Sequence, residues 1–236
     1  ILDFGEKGFP GILVETIAIF INNLAAPANT KVFSLTHRLH LTQPQAYIFD
    51  PELPYWIIYR NQLFDSVCRK LDFNVFEVFR DRQLTNKLLS SSGELRVLKS
   101  RNLSDDGKEI LDIPGYDSYI SYAAAKPLSV FQYLDAPNVY LTPNMTYKPR
   151  MMKKPPHCVV NGSLAILIPK GGIVPTEKQL AYFSSEEYRA FYQIARNFQT
   201  RSLNVDACSV FFYGLLRDEA KPAPEKFDTS VQLSFL

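Results

Sequence analysis

The chain is poor in sulfur and tryptophan and contains no long apolar run. Its 236 residues include three cysteines, three methionines and one tryptophan. Cys68, Cys158 and Cys208 are widely spaced and odd in number, so they provide neither a CxxC pair nor a disulfide framework. A reducing cytoplasm is the location that this cysteine usage favours. No apolar run reaches the roughly 18 residues that a membrane helix needs, which excludes an ordinary transmembrane helix.

The familiar catalytic and cofactor signatures are also missing. We find no GxSxG elbow, dinucleotide or phosphate loop, HExxH motif or Cys/His zinc pattern. His37 and His40 form a lone HxxH pair, and in a strand these side chains point to opposite faces. His157 precedes Cys158, but no orienting acid is near in sequence. We therefore predict no catalytic, cofactor-binding or metal-binding residue in this chain.

The two ends of the sequence carry little targeting information. The start, ILDFGEKGFPG, contains acids and lacks the basic region of a signal peptide. Three Asn-x-Ser/Thr triplets would suit a secreted protein, although such triplets are common by chance. Because the chain has no initiating Met, we expect it to be a fragment of a longer protein.

The composition indicates a folded globular chain with a locally basic segment. Apolar residues make up 46% and aromatic residues 13% of the sequence. The net charge of +2 says little, but residues 136–176 contain five basic residues and no acid. A basic surface on a nearly neutral protein suits a polyanionic partner. A solvated loop is the alternative interpretation of this charge pattern.

Hydrophobic periodicity predicts an α+β fold, with largely antiparallel or mixed strands and a few amphipathic helices. The runs GILVETIAIFIN and TKVFSL are typical of strands buried on both faces, with a helix as the competing interpretation for residues 12–22. Further strands are predicted in FNVFEVF, LRVLKSRNL, NVYLTP, CVVNGSLAILIPK and CSVFFYGLL. Asn161-Gly162 is a hairpin signal, although a bulge or a loop entry also fits.

Two segments have helical spacing. Residues 59–71 place Phe64, Val67 and Leu71 on one apolar face. Residues 185–197 form the best helical pattern, in which Ser184 and Glu187 resemble a capping box and Asn197 suits a left-handed stop. The last twenty residues read as a poorly ordered tail with one possible strand.

Four stretches at the edges of apolar elements are rich in hydrogen-bond donors: residues 78–87, 97–103, 145–154 and 195–204. Arg forms paired hydrogen bonds with guanine, Asn and Gln do so with adenine, and Lys neutralises phosphate. We therefore predict DNA-binding residues at Arg80, Arg82, Gln83, Asn86, Lys87, Lys99, Arg101, Asn102, Arg150, Lys153, Lys154, Arg201 and Asn204. Arg80, Arg82 and Arg101 suit base edges, whereas Lys153 and Lys154 suit phosphates. For any single Arg, a surface ion pair or a packing role is the alternative.

Several segments resemble one enzyme family, the N6-adenine DNA methyltransferases of bacterial restriction-modification systems. LDFGEKGFPGILVETIAIFIN resembles the segment that closes the catalytic sheet of these enzymes. NGSLAILIPK, FSSEEYRAFYQIARN and TRSLNVDACSVFFYGLL resemble the C-terminal part of the type II branch with a fused target recognition domain. VFRDRQLTNK and VLKSRNLSDDG lie where that branch places its recognition domain. The resemblance covers about residues 1–216.

The resemblance implies a domain organisation and a set of partners. Residues 1–45 would be the C-terminal strands of a Rossmann-like methyltransferase domain, residues 46–216 the recognition domain, and residues 217–236 a tail. The intact enzyme would use S-adenosylmethionine, bind double-stranded DNA and cooperate with a fused or separate restriction endonuclease. This chain lacks the Asn-Pro-Pro-Tyr loop, because the segment DPELPYW has neither the Asn nor the second Pro. We therefore expect the fragment alone to bind no cofactor and to be inactive.

Two other classes of function remain open at this point. The chain is an alternative candidate for an interaction module that joins a methyltransferase to a partner subunit, with Tyr116, Tyr119 and Tyr122 as interface anchors or as ordinary packing residues. A self-sufficient enzyme is the third hypothesis, although the sequence shows no nucleophile with a base and an orienting group.

Overall fold

Four small β-sheets and five short α-helices make up the part of the chain that the structure describes. The computed structural model describes residues 1–22, 28–199, 204–218 and 234–235. The strands are β1 (Leu2–Gly5), β2 (Thr16–Ala18), β3 (Asn29–Ser34), β4 (Leu39–Pro44), β5 (Leu71–Asp72), β6 (Phe76–Phe79), β7 (Leu95–Leu98), β8 (Ser118–Ile120), β9 (Tyr140–Pro143), β10 (Met152–Lys153), β11 (Cys158–Val160), β12 (Leu164–Pro169), β13 (Leu215–Leu216) and β14 (Ser234–Phe235). The helices are α1 (Gln45–Ile48), α2 (Gln62–Lys70), α3 (Tyr122–Ala125), α4 (Glu177–Tyr182) and α5 (Glu186–Ala195). The predicted α+β class with mixed sheets is confirmed.

The N-terminal sheet has the strand order β14-β4-β3-β1-β2. β1 is parallel to β3 and antiparallel to β2, so β2 lies at the edge of the sheet. The prediction that residues 12–22 are buried on both faces is wrong, because Phe20 and Ile21 are 78% and 82% exposed. Only residues 16–18 of this run form a strand, and the competing helix is not formed. Within the described residues, no element covers this apolar run.

The central sheet, β10-β9-β12-β6, separates two hydrophobic cores. Ala165 and Leu167 of β12 pack into the core that contains α2 and α5. Leu164 and Ile166 of the same strand pack into the core that contains β7 and β11. Successive side chains of a strand point to opposite faces, so a strand between two cores is apolar throughout. This explains the uninterrupted apolar run LAILI.

The predicted hairpin at Asn161-Gly162 is wrong. β11 pairs in parallel with β7, whereas β12 pairs antiparallel with β6 and β9. The turn at residues 161–163 therefore carries the chain from one sheet to another, which is the loop-entry alternative. The Asn161 carboxamide oxygen accepts hydrogen bonds from the Ser163 N–H at 3.0 Å and the Ser163 hydroxyl at 2.6 Å. A side chain that bonds two residues ahead closes the turn without a strand partner.

The helix α5 spans Glu186–Ala195, within the predicted range of 185–197, and its N-cap lies one residue after the predicted Ser184. Ser185 is the N-cap, and its hydroxyl accepts the Tyr188 N–H at 3.1 Å. Ser184 instead donates to the Asp106 carbonyl at 2.8 Å. Asn197 has φ +49°, which confirms the left-handed stop. Its carboxamide accepts the Ile58 N–H at 2.8 Å and so ties the helix end to a distant segment.

Two predicted strands are shorter than their sequences indicated. β7 ends at Leu98, and residues 100–102 form a 3-10 turn in place of the second half of the predicted strand. Residues 209–212 form another 3-10 turn, so most of CSVFFYGLL is buried but is not a strand. The burial of CSVFFYGLL was predicted correctly, and in both places the backbone forms a tighter turn than the predicted strand.

Candidate nucleic-acid interface

The four donor-rich stretches meet around the turn at residues 161–163. A Cβ atom at Gly162 would lie 2.6 Å from the Asp81 carbonyl oxygen, so only glycine permits the stretch 78–87 to approach this closely. The Ser100 N–H donates to the Ser163 hydroxyl at 2.9 Å, which attaches the stretch 97–103. Arg150 donates to the Ser100 carbonyl at 3.2 Å and so connects the stretch 145–154.

Asn144 attaches the fourth stretch to the same turn. Its Nδ2 donates to the Gly162 carbonyl and to Asn204 Oδ1, both at 3.0 Å. Its Oδ1 accepts the Val205 N–H at 3.1 Å. The side chain is buried, so its amide has no room for further partners. Asn144 therefore fixes Asn204 beside Gly162 and leaves the Asn204 carboxamide oxygen committed.

Asp81 holds the loop that follows β6. Its carboxylate accepts the Gln83 N–H at 3.3 Å and the Leu84 N–H at 2.8 Å. Asp81 is 7% exposed, so its negative charge faces the backbone of its own loop. The flanking Arg80 and Arg82 are thus presented on a segment with a fixed backbone.

We define the turn surface as Arg80, Arg82, Arg101 and Asn204 around residues 161–163. Arg82 and Arg101 are exposed and Arg80 is half-buried. None of the three guanidiniums forms a hydrogen bond or ion pair with another described residue. Uncommitted guanidinium groups on a rigid frame suit recognition of an anionic or carbonyl-rich partner.

Tyr116 supports two cations at the edge of this surface. The Lys99 Nζ lies 4.1 Å and the Arg101 guanidinium carbon 4.7 Å from the centre of the Tyr116 ring. Lys99 also donates to the Tyr116 carbonyl and, at 2.8 Å, to the Ser118 hydroxyl. Lys99 is therefore partly committed inside the protein, whereas Arg101 stacks on the ring and keeps its donors available.

Asn102 lies beneath this platform and is completely buried. Its Nδ2 donates to the Leu111 carbonyl at 3.0 Å and to the Asp117 carboxylate at 2.6 Å. Burial opposes ionisation of Asp117, but hydrogen bonds from Ile113, Asn102 and Arg96 outweigh it and lower the Asp117 pKa. We therefore remove Asn102 from the candidate interface, because its amide has no exposed atom to offer DNA.

Arg150 and Lys154 are also interior residues. Arg150 is 8% exposed and donates to the carbonyls of Lys148, Ser100 and Leu103 at 3.1 to 3.3 Å. Lys154 is 4% exposed, and its Nζ donates to the Leu134 carbonyl at 2.7 Å and the Pro155 carbonyl at 2.9 Å. Burial lowers the pKa of both groups. Both cations stabilise backbone carbonyls, so we remove them from the candidate interface as well.

Four other predicted residues, Gln83, Asn86, Lys87 and Lys153, are exposed but differ in position. Gln83 accepts the Ser129 N–H at 2.7 Å. Asn86 and Lys87 lie in a 3-10 turn at residues 86–88 on the Asp81-anchored loop. Lys153 lies on β10, and the loop follows β6, so the two occupy opposite edges of the central sheet. Arg201 lies outside the described residues.

The sequence analysis missed three residues that hold the frame of the candidate interface, namely Asp81, Asn144 and Ser163. All three hold the turn surface through backbone contacts. Asn-Gly-Ser after a strand is a turn signal, and this pattern was interpreted as a hairpin. Asn144 was noticed only as part of an Asn-x-Thr triplet, and its buried amide serves a structural role.

Two of the three histidines have aromatic neighbours, whereas His157 Nδ1 lies 3.3 Å from the Asp135 carboxylate. His40 stacks on Phe33 with ring centres 4.2 Å apart, and His37 lies against Tyr59 and Phe198. Among the described residues, no group of three or more His, Cys, Asp or Glu side chains is arranged to hold a metal ion. No helix in the described ranges is both long enough and apolar enough to cross a membrane.

No protein-family model matches the chain. No curated protein is similar enough to match it.

Proposed function

We propose that this chain recognises a specific double-stranded DNA sequence for an N6-adenine DNA methyltransferase. The observation that carries the proposal is that four donor-rich stretches converge on the turn at residues 161–163. These stretches are spread along the sequence from residue 78 to residue 204. The sequence resemblance to the type II enzymes supports the same function. This chain contributes the position of the enzyme on DNA and the choice of sequence, and it does not transfer the methyl group.

Within this proposal, exposed arginines contact the bases and exposed lysines contact the phosphates. The guanidiniums of Arg82 and Arg101 have no hydrogen-bond or ion-pair partner among the described residues, which suits paired hydrogen bonds to guanine in the major groove. Lys87 and Lys153 are exposed cations away from the turn and suit phosphate contacts. Cations that neutralise phosphate release counterions, so binding depends steeply on salt.

The test is selection from a pool of duplexes with a randomised central segment. We expect the full chain to enrich one sequence, and we expect its affinity to fall at least about tenfold between about 50 and 200 mM salt. Arg82→Ala is expected to relax the preference at one position of the enriched sequence, as a lost base contact does. Arg189→Ala is the matched control, because this half-buried arginine lies on α5 and pairs with the exposed Glu186.

Two outcomes would contradict the proposal. One is the absence of any enriched sequence together with salt-independent binding. The other is an enriched sequence whose preference is the same for Arg82→Ala, Arg101→Ala and the parent, because the turn surface would then not read bases.

We further propose that the N-terminal sheet completes a Rossmann-like methyltransferase sheet. Support comes from the parallel pairing of β1 with β3 and from β2, whose outer edge has no partner among the described strands. The catalytic domain would extend the sheet at β2, cover Phe20 and Ile21, and bind S-adenosylmethionine. The flipped adenine would enter that domain while this chain holds the flanking DNA.

The exposed apolar run favours a second candidate function, an interaction module with little base reading. Ile12, Leu13, Phe20 and Ile21 are each more than half exposed, which is unusual for a protein without a partner. Tyr116 does not add to this interface, because its ring supports Lys99 and Arg101. Exchange of the turn-surface residues without a change in DNA preference would favour this second function.

A further inference from the structure

Two segments beside the turn surface form what we call the basic platform. The first, residues 82–90, follows Asp81 and so begins at the turn itself. The second, residues 119–129, runs from β8 through α3. Together they contain three cations, Arg82, Lys87 and Lys126, and no acid. All three cations are exposed, so the platform favours an anionic partner.

Hydrogen bonds tie the two segments of the platform to each other at both ends. At one end, Ser90 and Tyr119 exchange backbone hydrogen bonds, and both N···O distances are 2.9 Å. At the other end, the Gln83 carboxamide oxygen accepts the Ser129 N–H at 2.7 Å. Ser129 begins a 3-10 turn whose N-cap, Leu128, offers no side-chain acceptor. Gln83 therefore provides the missing acceptor from the neighbouring segment.

This contact indicates a role for Gln83 other than base reading. A glutamine that reads adenine uses its carboxamide oxygen and its amide nitrogen together. The bond to Ser129 fixes the orientation of the Gln83 carboxamide. Reorienting the carboxamide to meet a base edge would therefore break the tie between the two segments. Gln83 is better suited to holding the second segment in place.

Lys126 lies on the second segment and has a fixed backbone. Its N–H donates to the Tyr122 carbonyl at 3.0 Å at the end of α3, and Pro127 restricts the backbone that follows. The Lys126 ammonium group forms no hydrogen bond or ion pair with another described residue. A nearby carboxylate, Glu94, accepts the Tyr122 N–H at 2.8 Å at the opposite end of α3. Lys126 is therefore an exposed and uncommitted cation of the same kind as Arg82.

We propose that Lys126 contacts a DNA phosphate and that Gln83 is the positioning residue that places Lys126 beside the turn surface. The inference rests on the proposed function, because the platform continues the surface that is proposed to read DNA. A lysine binds phosphate as a compact point charge on a flexible stem. The placement of the segment that carries Lys126 therefore matters more than the geometry of its side chain.

Salt-dependent binding of the full chain to the enriched duplex tests both parts of the proposal. Lys126→Ala is expected to lower the salt slope by about one unit and to leave the preferred sequence unchanged, as the loss of one phosphate contact does. Gln83→Leu removes the acceptor for Ser129 and is expected to lower the slope in the same direction. In the double variant, Gln83→Leu is expected to add nothing to the effect of Lys126→Ala, because Gln83 acts through Lys126.

Gln132→Leu is the matched control for Gln83→Leu. The Gln132 amide donates to the Ser129 carbonyl at 2.9 Å from within the same 3-10 turn. Its loss leaves the tie between the two segments intact, so the salt slope is expected to equal that of the parent. Additive effects of Gln83→Leu and Lys126→Ala, or a relaxed base preference with Gln83→Leu, would overturn the positioning role of Gln83.

The same measurements separate this inference from the proposed function. If the parent enriches one sequence with a steep salt dependence and Lys126→Ala keeps the parent slope, the assignment of Lys126 is wrong and the proposed function stands. If no sequence is enriched and binding is independent of salt, the proposed function and this inference are both wrong.

Discussion

Two groups of cations in this chain look alike in sequence and differ in the structure. Arg150 and Lys154 are buried and donate to backbone carbonyls. Arg82 and Arg101 are exposed, and they form no hydrogen bond or ion pair within the described part of the chain. The first group stabilises the backbone, and the second group is exposed on the surface of that backbone. Basic composition alone therefore does not identify a binding surface, because the same residue types perform both tasks.

The largest expected effect is the loss of the network beneath the turn surface. Asp117→Asn weakens the contacts to Arg96, Asn102 and Ile113, and we expect unfolding to become easier by about 3 kcal/mol. Denaturant unfolding measures this change. Asp112→Asn is the control, because this exposed carboxylate pairs with the same Arg96 and is expected to cost less than about 1 kcal/mol.

The same variant has a signature in its pH dependence. The Asp117 pKa is lowered in the folded state, so its stabilising contribution is fully present above the unfolded value of about 4. The contribution is lost as pH falls through the lowered folded pKa. The stability difference between parent and Asp117→Asn is therefore expected to shrink in that acidic window. A constant difference would contradict the assignment of the charged network.

A smaller loss of stability is expected from Lys154→Ala. The change removes two donors and leaves the carbonyls of Leu134 and Pro155 without them, for an expected cost of about 2 kcal/mol in thermal or denaturant unfolding. The neighbouring Lys153→Ala is the matched control for stability, because Lys153 is exposed on an edge strand. Equal stability of the two variants would break the distinction between interior and exposed cations.

Tyr116→Leu sharpens the comparison at the turn surface. The ring supports the Arg101 guanidinium, so its loss is expected to weaken DNA binding by about 1 kcal/mol without changing the preferred sequence. Fluorescence anisotropy with the enriched duplex measures the affinity. Tyr122→Leu is the control, because Tyr122 is 45% exposed and packs on Phe131. A larger loss in the control would show that the tyrosine support is not specific.

The smallest effect is expected for Lys153→Ala in DNA binding. As a phosphate contact, Lys153 contributes equally to all sequences, and its removal is expected to reduce the salt slope by about one unit. Lys178→Ala, on the exposed face of α4, is expected to leave the slope unchanged. A change in the preferred base with Lys153→Ala would contradict its assignment to phosphate.

The sequence predicted elements that depend on local spacing better than it predicted contacts. The apolar face of α2 and the left-handed Asn197 follow from helical periodicity and from the conformational preference of Asn. The hairpin at Asn161-Gly162 was predicted wrongly, because each flanking strand finds its partner elsewhere in the chain. Local turn chemistry identified the turn but not the two sheets that it connects.

For a related reason, the sequence could not predict whether a given cation is buried. The carbonyl partners of Arg150 and Lys154 include residues 20 to 50 positions away, such as Leu134 and Ser100. No local pattern distinguishes Lys154 from Lys153, since the difference comes from the β9–β10 pairing and the packing around it. Donor-rich composition indicated four stretches of the chain, and tertiary structure determines which of their cations are exposed.

The contacts that hold the turn at residues 161–163 do not involve the side chains that are proposed to read DNA. Asp81, Asn144 and Ser163 fix the frame largely through main-chain groups, so the side chains at positions 82 and 101 are not needed to maintain it. A library randomised at these two positions is expected to consist mostly of folded proteins with different DNA preferences. Under the proposed function, such a surface can acquire a new DNA target through changes at these two positions while the frame stays folded.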